Sequence, residues 1–462
     1  MLIIRELINN YQTVFKMLKS ILNFFKKSLP VKEEEFDEGQ KSRYKRLRWS
    51  VFSSITIGYS LFYVCRLSIA VVKKPIITEG FLTESQLGVI GSALFFSYAF
   101  GRFTNGFLAD RSNIKKFMAT GLLVSSIINL ILGFYSVFIL FVILWGLNGW
   151  FQSMGAAPSI VGLSRWFSNS ERGTYYGIWS TSHSSGNALT YLLTSLVVSL
   201  YGWRFGFTLA GIVGFIGVAI ILIYLKDSPE SEGLPPVAVL KDEPMYDTDI
   251  KTISSLQFDV LKNPYVWILA LASAFMYISR YAIESWGIFY LETARGYSNI
   301  KASSILSIYA AMGILSTILC GYISDKFFKS NRNLPALVFG ICNVIGITLL
   351  LFYPDTNVFV DSLSIALFGF GTGALITYLG GLMAIDIVSK KASGAAVGIV
   401  GIASYLGAGA QDIISGSLIE KYKIISNGIT TYNFTTVRYL WAGAAVISVL
   451  LTLLVWNAKS KS

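Results

Sequence analysis

Gly106-Phe107-Leu108-Ala109-Asp110-Arg111 and Gly321-Tyr322-Ile323-Ser324-Asp325-Lys326 carry one pattern: a glycine, three residues, an aspartate, then a cation. They lie about 215 residues apart, and each closes an apolar stretch. An arginine recurs at nearly the same offset. It stands in Tyr63-Val64-Cys65-Arg66 and again in Tyr277-Ile278-Ser279-Arg280. The chain is therefore one unit written twice, and each unit places a Tyr-x-x-Arg ahead of its loop aspartate. The i, i+3 spacing sets tyrosine and arginine on one helix face.

Outward from these motifs the sequence divides into apolar runs long enough to cross a bilayer as helices. Spans are expected near 51–70, 87–109, 117–135, 137–160, 175–200 and 205–225, then 264–291, 302–324, 335–353, 360–386, 393–420 and 437–457. Between the two sets of six, residues 226–263 are polar and contain Pro229, Pro235, Pro236 and Pro244, which reads as a linker. The expected organisation is a tail (1–50), a first six-helix bundle (51–225), the linker (226–263) and a second bundle with a short tail (264–462). This is an all-α membrane protein of twelve helices in two pseudo-symmetric halves.

Composition agrees. Of the 462 residues, 53% are hydrophobic and 14% charged, against roughly 25% charged in soluble proteins; mean hydropathy is +0.58. The net charge of +12 does not call for nucleic acid, because its positions follow the positive-inside rule. Lys41, Arg43, Lys45, Arg46 and Arg48 precede span 1. Arg111, Lys115 and Lys116 follow span 2, Arg165 and Arg172 follow span 4, and Lys326, Lys329 and Arg332 follow span 8. Lys390, Lys391, Lys459 and Lys461 extend the series, whereas loops 3–4 and 9–10 have no Lys or Arg. Both termini are expected in the cytoplasm of a cell whose inner (plasma) membrane holds the chain. The tail does not match a cleavable signal peptide, and residues 5–29 have the spacing of an amphipathic surface helix. Cys65, Cys320 and Cys342 lie in apolar stretches without metal-ligand spacing, so neither a disulfide framework nor a metal site is expected.

A charge inside a membrane span costs at least about 2.5–3.5 kcal/mol on insertion scales. One arginine near a helix end can snorkel to the headgroups, but a matched pair in both repeats points into a shared cavity. Two guanidiniums near a pseudo-two-fold axis suit an oxyanion, whose oxygens fit the arginine fork. Glu284, one turn beyond Arg280, can pair with it. Asp412, an acid inside span 11, is a functional candidate for the same reason of cost. No phosphate-binding glycine loop, catalytic carboxylate pair or histidine cluster marks an enzyme, and no cofactor is called for.

The 106–116 motif, Gly-x-Leu-Ala-Asp-Arg-x-x-x-Lys-Lys, resembles the loop 2–3 signature of the major facilitator superfamily. More narrowly, residues 44–455 resemble the organophosphate:phosphate antiporters. The carriers of the likeness are Gly58-Tyr59 to Arg66, Asp110-Arg-Ser-Asn113, Trp150-Phe-Gln152-x-Met-Gly155, Glu171-Arg-Gly173, Trp179 to His183, Asn263-Pro264, Tyr277 to Arg280, Ser324-Asp-Lys326, Asn331-Arg332, Lys390 to Gly394 and Tyr405-Leu-Gly407.

The resemblance implies the major facilitator fold and a carrier exchanging hexose 6-phosphate or glycerol 3-phosphate for inorganic phosphate. It implies that Arg66 and Arg280 bind the phosphate and that His183 lines the cavity. Tyr59, Tyr63, Tyr277, Tyr405, Gln152 and Arg102 match cavity positions of the family. Asp110, Arg111, Asp325 and Lys326 match its gating loops, and Glu284 and Asp412 are added here as possible coupling groups. A monomer, with no nucleic-acid partner, is expected. The chain departs from the family at Leu67, Gly155-Ala-Ala-Pro158, Ser180 and around Ala374, which leaves the particular organophosphate open. Two other readings remain: a membrane sensor of external sugar phosphate, and a proton-coupled symporter.

Overall fold

A computed structural model describes residues 38–135, 137–237, 258–328, 332–388, 393–427 and 429–456, together with 16, 19, 20, 23–30 and 458. The segment 5–29, expected as an amphipathic helix, lies mostly outside the described residues, as do Lys329, Lys390 and Lys391.

The first half comprises α1 (Glu38–Thr78), α2 (Glu84–Arg111), α3 (Ile114–Phe134), α4 (Phe138–Trp166), α5 (Asn169–Ser180), α6 (Ser182–Tyr201) and α7 (Trp203–Tyr224). The second comprises α8 (Pro264–Thr293), α9 (Asn299–Phe328), α10 (Asn333–Phe352), α11 (Val358–Thr377), the short α12 (Met383–Asp386), α13 (Ser393–Lys421) and α14 (Thr435–Leu454). Side chains end several helices as sequence rules require. Thr83 and Gln86 form a capping box on α2. Asn113 accepts from the Lys116 amide at the start of α3. Asn263 caps α8 with Pro264 in its first turn.

Eleven of these elements are long and apolar enough to cross a membrane. The twelfth expected span is α5 plus α6, broken at Thr181. Its centre reads Ser180-Thr-Ser-His183-Ser-Ser-Gly-Asn187, so it lacks the hydropathy of the others. Backbone freed at the break is met locally: Thr181 Oγ1 donates to the Ile178 carbonyl at 2.7 Å, and the Ser182 hydroxyl to that of Trp179. Span 10 holds the second irregularity, a π-turn over Tyr378–Leu382 between α11 and α12. Such turns are frequent at functional sites.

The two halves repeat each other's packing. In the first, α1 lies against α6 and α7, α2 against α4, and α3 against α4 and α7. In the second, α8 lies against α13 and α14, α9 against α11, and α10 against α11 and α14. The halves meet through α2 on α13, α6 on α9 and α1 on α8. This is the twelve-helix arrangement of two six-helix bundles around a pseudo-two-fold axis.

One end of the molecule carries the loops after α2 and α9, and is called here the terminal face. The opposite face carries a hairpin of β1 (Lys423–Ser426) and β2 (Ile429–Tyr432). Near the hairpin face α2 and α13 touch backbone to backbone. A Cβ on Gly88 would stand 2.5 Å from the Asp412 carbonyl oxygen, and one on Gly416 2.5 Å from that of Glu84. Only glycine permits this approach.

Candidate functional site

The site lies where α1, α2 and α6 of the first half face α8 and α13 of the second. Arg66, on α1, is 3% exposed, and so is Arg280 on α8. The helix carrying Arg66 is pinned at that level: Asn129 of α3 and Asn148 of α4 both donate to the Cys65 carbonyl, at 2.9 and 3.1 Å. A chain of tyrosine rings joins the arginines. The Arg66 guanidinium lies 3.9 Å from the Tyr98 ring and 5.4 Å from those of Tyr63 and Tyr405. Tyr405 in turn meets Tyr98, Tyr277 and Tyr281. The Arg280 guanidinium lies 5.1 Å from Tyr277 and 5.0 Å from Tyr281. Ring faces attract a cation without neutralising it, so the charge of Arg66 stays available to an anion.

The two arginines differ in what they have left to give. Arg66 Nε and Nη2 are both buried and without a hydrogen-bond partner. Those two atoms form the side edge of the guanidinium, the edge that grips an oxyanion with two parallel bonds. On Arg280, Nε is spent on Glu284 Oε1 at 3.0 Å, while Nη2 is buried and unpartnered. The same Glu284 oxygen accepts from Tyr309 of α9 at 2.7 Å and from Asn187 of α6 at 3.2 Å. Buried donors without partners are rare in folded proteins, and these single out Arg66 and Arg280 as the candidate anion-binding groups.

The remaining predicted residues are placed as follows. Tyr59 stacks on Trp179 and meets Tyr63 edge-on, and the Tyr63 ring lies 6.1 Å from that of His183, which is half-buried. Arg102, on α2, lies 5.8 Å from the Tyr405 ring and is half-buried, so exposure rises from Arg66 toward the terminal face. Gln152 is not drawn into the site by these contacts; its amide donates to Ser125 of α3 at 3.2 Å. Asp110 and Arg111 are exposed at the end of α2. The Asp110 carbonyl accepts from Arg165, which also pairs with Asp227 at 2.5 Å. Lys326 donates to Tyr322 on the same face, and the side chain of Asp325 lies outside the described ones.

Toward the hairpin face the halves are tied together by polar contacts. Buried Glu84 of α2 accepts from Lys423 at 2.8 Å and from Tyr432 at 2.7 Å. Burial, with the Glu84 carboxylate beside it, holds the Tyr432 phenol well above its usual range, so it stays a donor. Glu420 accepts from the Ser85 amide, and Asn299 donates to the Val71 carbonyl. Deeper lies Asp412, whose Oδ1 accepts from Ser285 at 2.8 Å and Trp286 at 2.7 Å and stands 3.9 Å from Lys73 Nζ. The site is shut on this face.

Several members of this arrangement escape a reading of the sequence: Tyr98, Tyr281, Tyr309, Asn187 and Lys73. A signal existed for three. Tyr98 stands four residues before Arg102, Asn187 four after His183, and Lys73 seven after Arg66, each sharing a helix face with a recognised residue.

Two six-helix bundles packed over a pair of buried arginines and closed at one face have the architecture of a membrane carrier. The chain belongs to the Major Facilitator Superfamily, whose pattern it matches over residues 55–411. It is 33% identical over 459 residues, 95% of this chain and 98% of the other, to a probable hexose phosphate transport protein of Chlamydia pneumoniae. It is 32% identical to the glycerol-3-phosphate transporter of Bacillus subtilis (strain 168), across 96% and 99% of the two chains. A likeness of 32% covers 91% of this chain and 94% of the membrane sensor protein UhpC of Salmonella typhimurium. Among solved structures, a bacterial homologue of the human lysosomal transporter Spinster superposes with a TM-score of 0.69 at 18% identity, over 89% of this chain and 95% of that one.

Proposed function

We propose that this protein exchanges a phosphorylated organic anion, hexose 6-phosphate or glycerol 3-phosphate, for inorganic phosphate across the inner (plasma) membrane, working as a monomer with its terminal face in the cytoplasm. The observation that carries the reading is the free side edge of Arg66, two buried parallel donors, together with the free Nη2 of Arg280. A phosphate group supplies the acceptors for all three. The relatives named for hexose phosphate and glycerol-3-phosphate transport support the same substrate class.

Antiport follows from charge. Glu284 offsets Arg280, so the empty, water-poor site holds Arg66 as a cation with no carboxylate bonded to it, a costly arrangement because Coulomb energy scales inversely with the effective dielectric. A phosphate dianion supplies the missing counter-charge, bonds to both arginines and holds the halves together while the terminal face closes. A ligand shifts such an equilibrium only through its different affinity for the two states, and the doubly contacted state is the one it favours. Asp110, Arg111, Asp325 and Lys326 sit at the ends of the helices that must move, and act there as gating groups. His183, Tyr63 and Arg102 line the route from the terminal face.

The likeness to a membrane sensor protein favours a second reading, in which the same site reports an external sugar phosphate without carrying it. Purified protein in liposomes loaded with inorganic phosphate separates them. A carrier takes up labelled glucose 6-phosphate or glycerol 3-phosphate only when phosphate is inside. Binding of either ester without uptake would leave the sensor, and uptake driven by a pH gradient into phosphate-free liposomes would leave a symporter using Glu284 or Asp412.

A further inference from the structure

Lys73 is the unexplained charge of this molecule. It is 1% exposed, on α1, two turns beyond Arg66 toward the hairpin face. Its Nζ donates to Ser285 at 2.8 Å, stands 3.9 Å from Asp412 Oδ1 and lies 3.4 Å from the centre of the Trp286 ring. All three partners belong to the second half, on α8 and α13. A buried cation bound entirely by the opposite half is an inter-half tie, and leaving either ion of such a pair alone is costly.

Asp412 has a second neighbour in charge. Its Oδ2 is buried with no hydrogen-bond partner and rests against Gly91 of α2, where a Cβ would come within 1.8 Å of it. Asp412 also lines a cavity of about 20 Å3 that it shares with Arg66, Ala70, Gly91, Phe95 and Ser285. That exceeds the roughly 10–15 Å3 one water needs, and the polar groups such a water requires are present. Asp412 of the second half thus pairs with Lys73 of α1 and shares a cavity with Arg66 of the same helix.

We propose that Asp412 and Lys73 form the lock that keeps the hairpin face shut, and that an anion on Arg66 releases it. Asp412 is a positioning residue: it touches no substrate and acts through Arg66. The proposal rests on the exchange reading given above. Opening the hairpin face must draw α1 away from α8 and α13, separating Asp412 from both cations. With the site empty, both attractions oppose this. A bound phosphate neutralises Arg66, leaving Lys73 alone to hold Asp412, and the loaded protein crosses more readily than the empty one. The group that seals the carrier thereby also makes crossing depend on cargo.

The test uses full-length protein in liposomes loaded with labelled phosphate. Asp412→Asn keeps acceptors for Ser285 and Trp286 but removes the charge. It should raise phosphate efflux into anion-free buffer at least tenfold over the parent protein while phosphate-for-phosphate exchange persists. Gly91→Ala changes no charge, yet its methyl displaces the Asp412 carboxylate, so the same leak is expected. It also serves if Asp412→Asn does not fold. A second readout reports conformation. Ala70→Cys, in protein with Cys65, Cys320 and Cys342 replaced by serine, should react with an impermeant maleimide from the hairpin side only when phosphate is added. With Asp412→Asn added it should react without phosphate. Tight coupling and phosphate-dependent labelling in the variants, as in the parent, would overturn the lock and leave the exchange reading standing. Rapid efflux from the parent protein itself would instead overturn the exchange reading.

Discussion

Replacing each site arginine by lysine should not have equal consequences, although the repeat makes the two look equivalent. Arg66 offers a phosphate two parallel donors, Nε and Nη2. Lysine keeps the charge but cannot present that pair. One charge-assisted hydrogen bond is lost, worth about 1.5–3 kcal/mol. At about 1.4 kcal/mol per tenfold, phosphate and organophosphate binding should weaken by roughly 10- to 150-fold in Arg66→Lys. Arg280 has already committed Nε to Glu284 at 3.0 Å and keeps only Nη2 among its unpartnered buried donors. Arg280→Lys still supplies a charge and one donor, so its loss should stay below about tenfold. Titration calorimetry of purified protein with glucose 6-phosphate or phosphate measures both, with exchange in liposomes as the functional counterpart. Equal losses in the two variants, or near-parental binding in Arg66→Lys, would refute the assignment of the two-bond grip to Arg66.

Two further predictions concern groups around the site. Glu284→Gln keeps an acceptor for Tyr309 and Asn187 but strips the charge opposing Arg280; it should lower stability by about 1–3 kcal/mol and tighten phosphate binding while slowing release. Falling KM together with falling turnover in exchange assays is the expected signature, and a raised KM would contradict it. Asp110→Asn, at the exposed end of α2, should slow interconversion of the two faces and leave binding nearly intact. Exchange rates set against equilibrium binding decide this, and lost affinity at unchanged turnover would count against a gating role.

Much of this arrangement was legible in the sequence because it is carried by local patterns. The paired Tyr-x-x-Arg segments and loop aspartates reveal the duplication, and the apolar runs reveal the helices. The Arg280–Glu284 pair follows from one-turn spacing and is found at 3.0 Å. What stayed hidden depends on contacts between distant segments. Lys73-Lys74-Pro75 reads as a membrane edge, yet α1 runs on to Thr78. Lys73 can be buried there only because Ser285, Trp286 and Asp412, more than two hundred residues away, close over it. Helix α1 likewise starts at Glu38 rather than near 51, since Tyr44 reaches the Trp166 carbonyl at 3.0 Å and anchors the basic segment to the bundle. The inequality of the two arginines is invisible in a repeat, because it is set by Tyr309 and Asn187 holding Glu284 against one of them only.

The central claim is that crossing requires a bound phosphate-bearing anion, and efflux tests it most directly. Liposomes holding the protein and labelled phosphate are diluted into buffer with no anionic substrate, then into buffer with glucose 6-phosphate, glycerol 3-phosphate or phosphate, all without a pH gradient. The account predicts retention of label in the first case and rapid release in at least one of the others. Rapid release into anion-free buffer would contradict it and identify a uniporter.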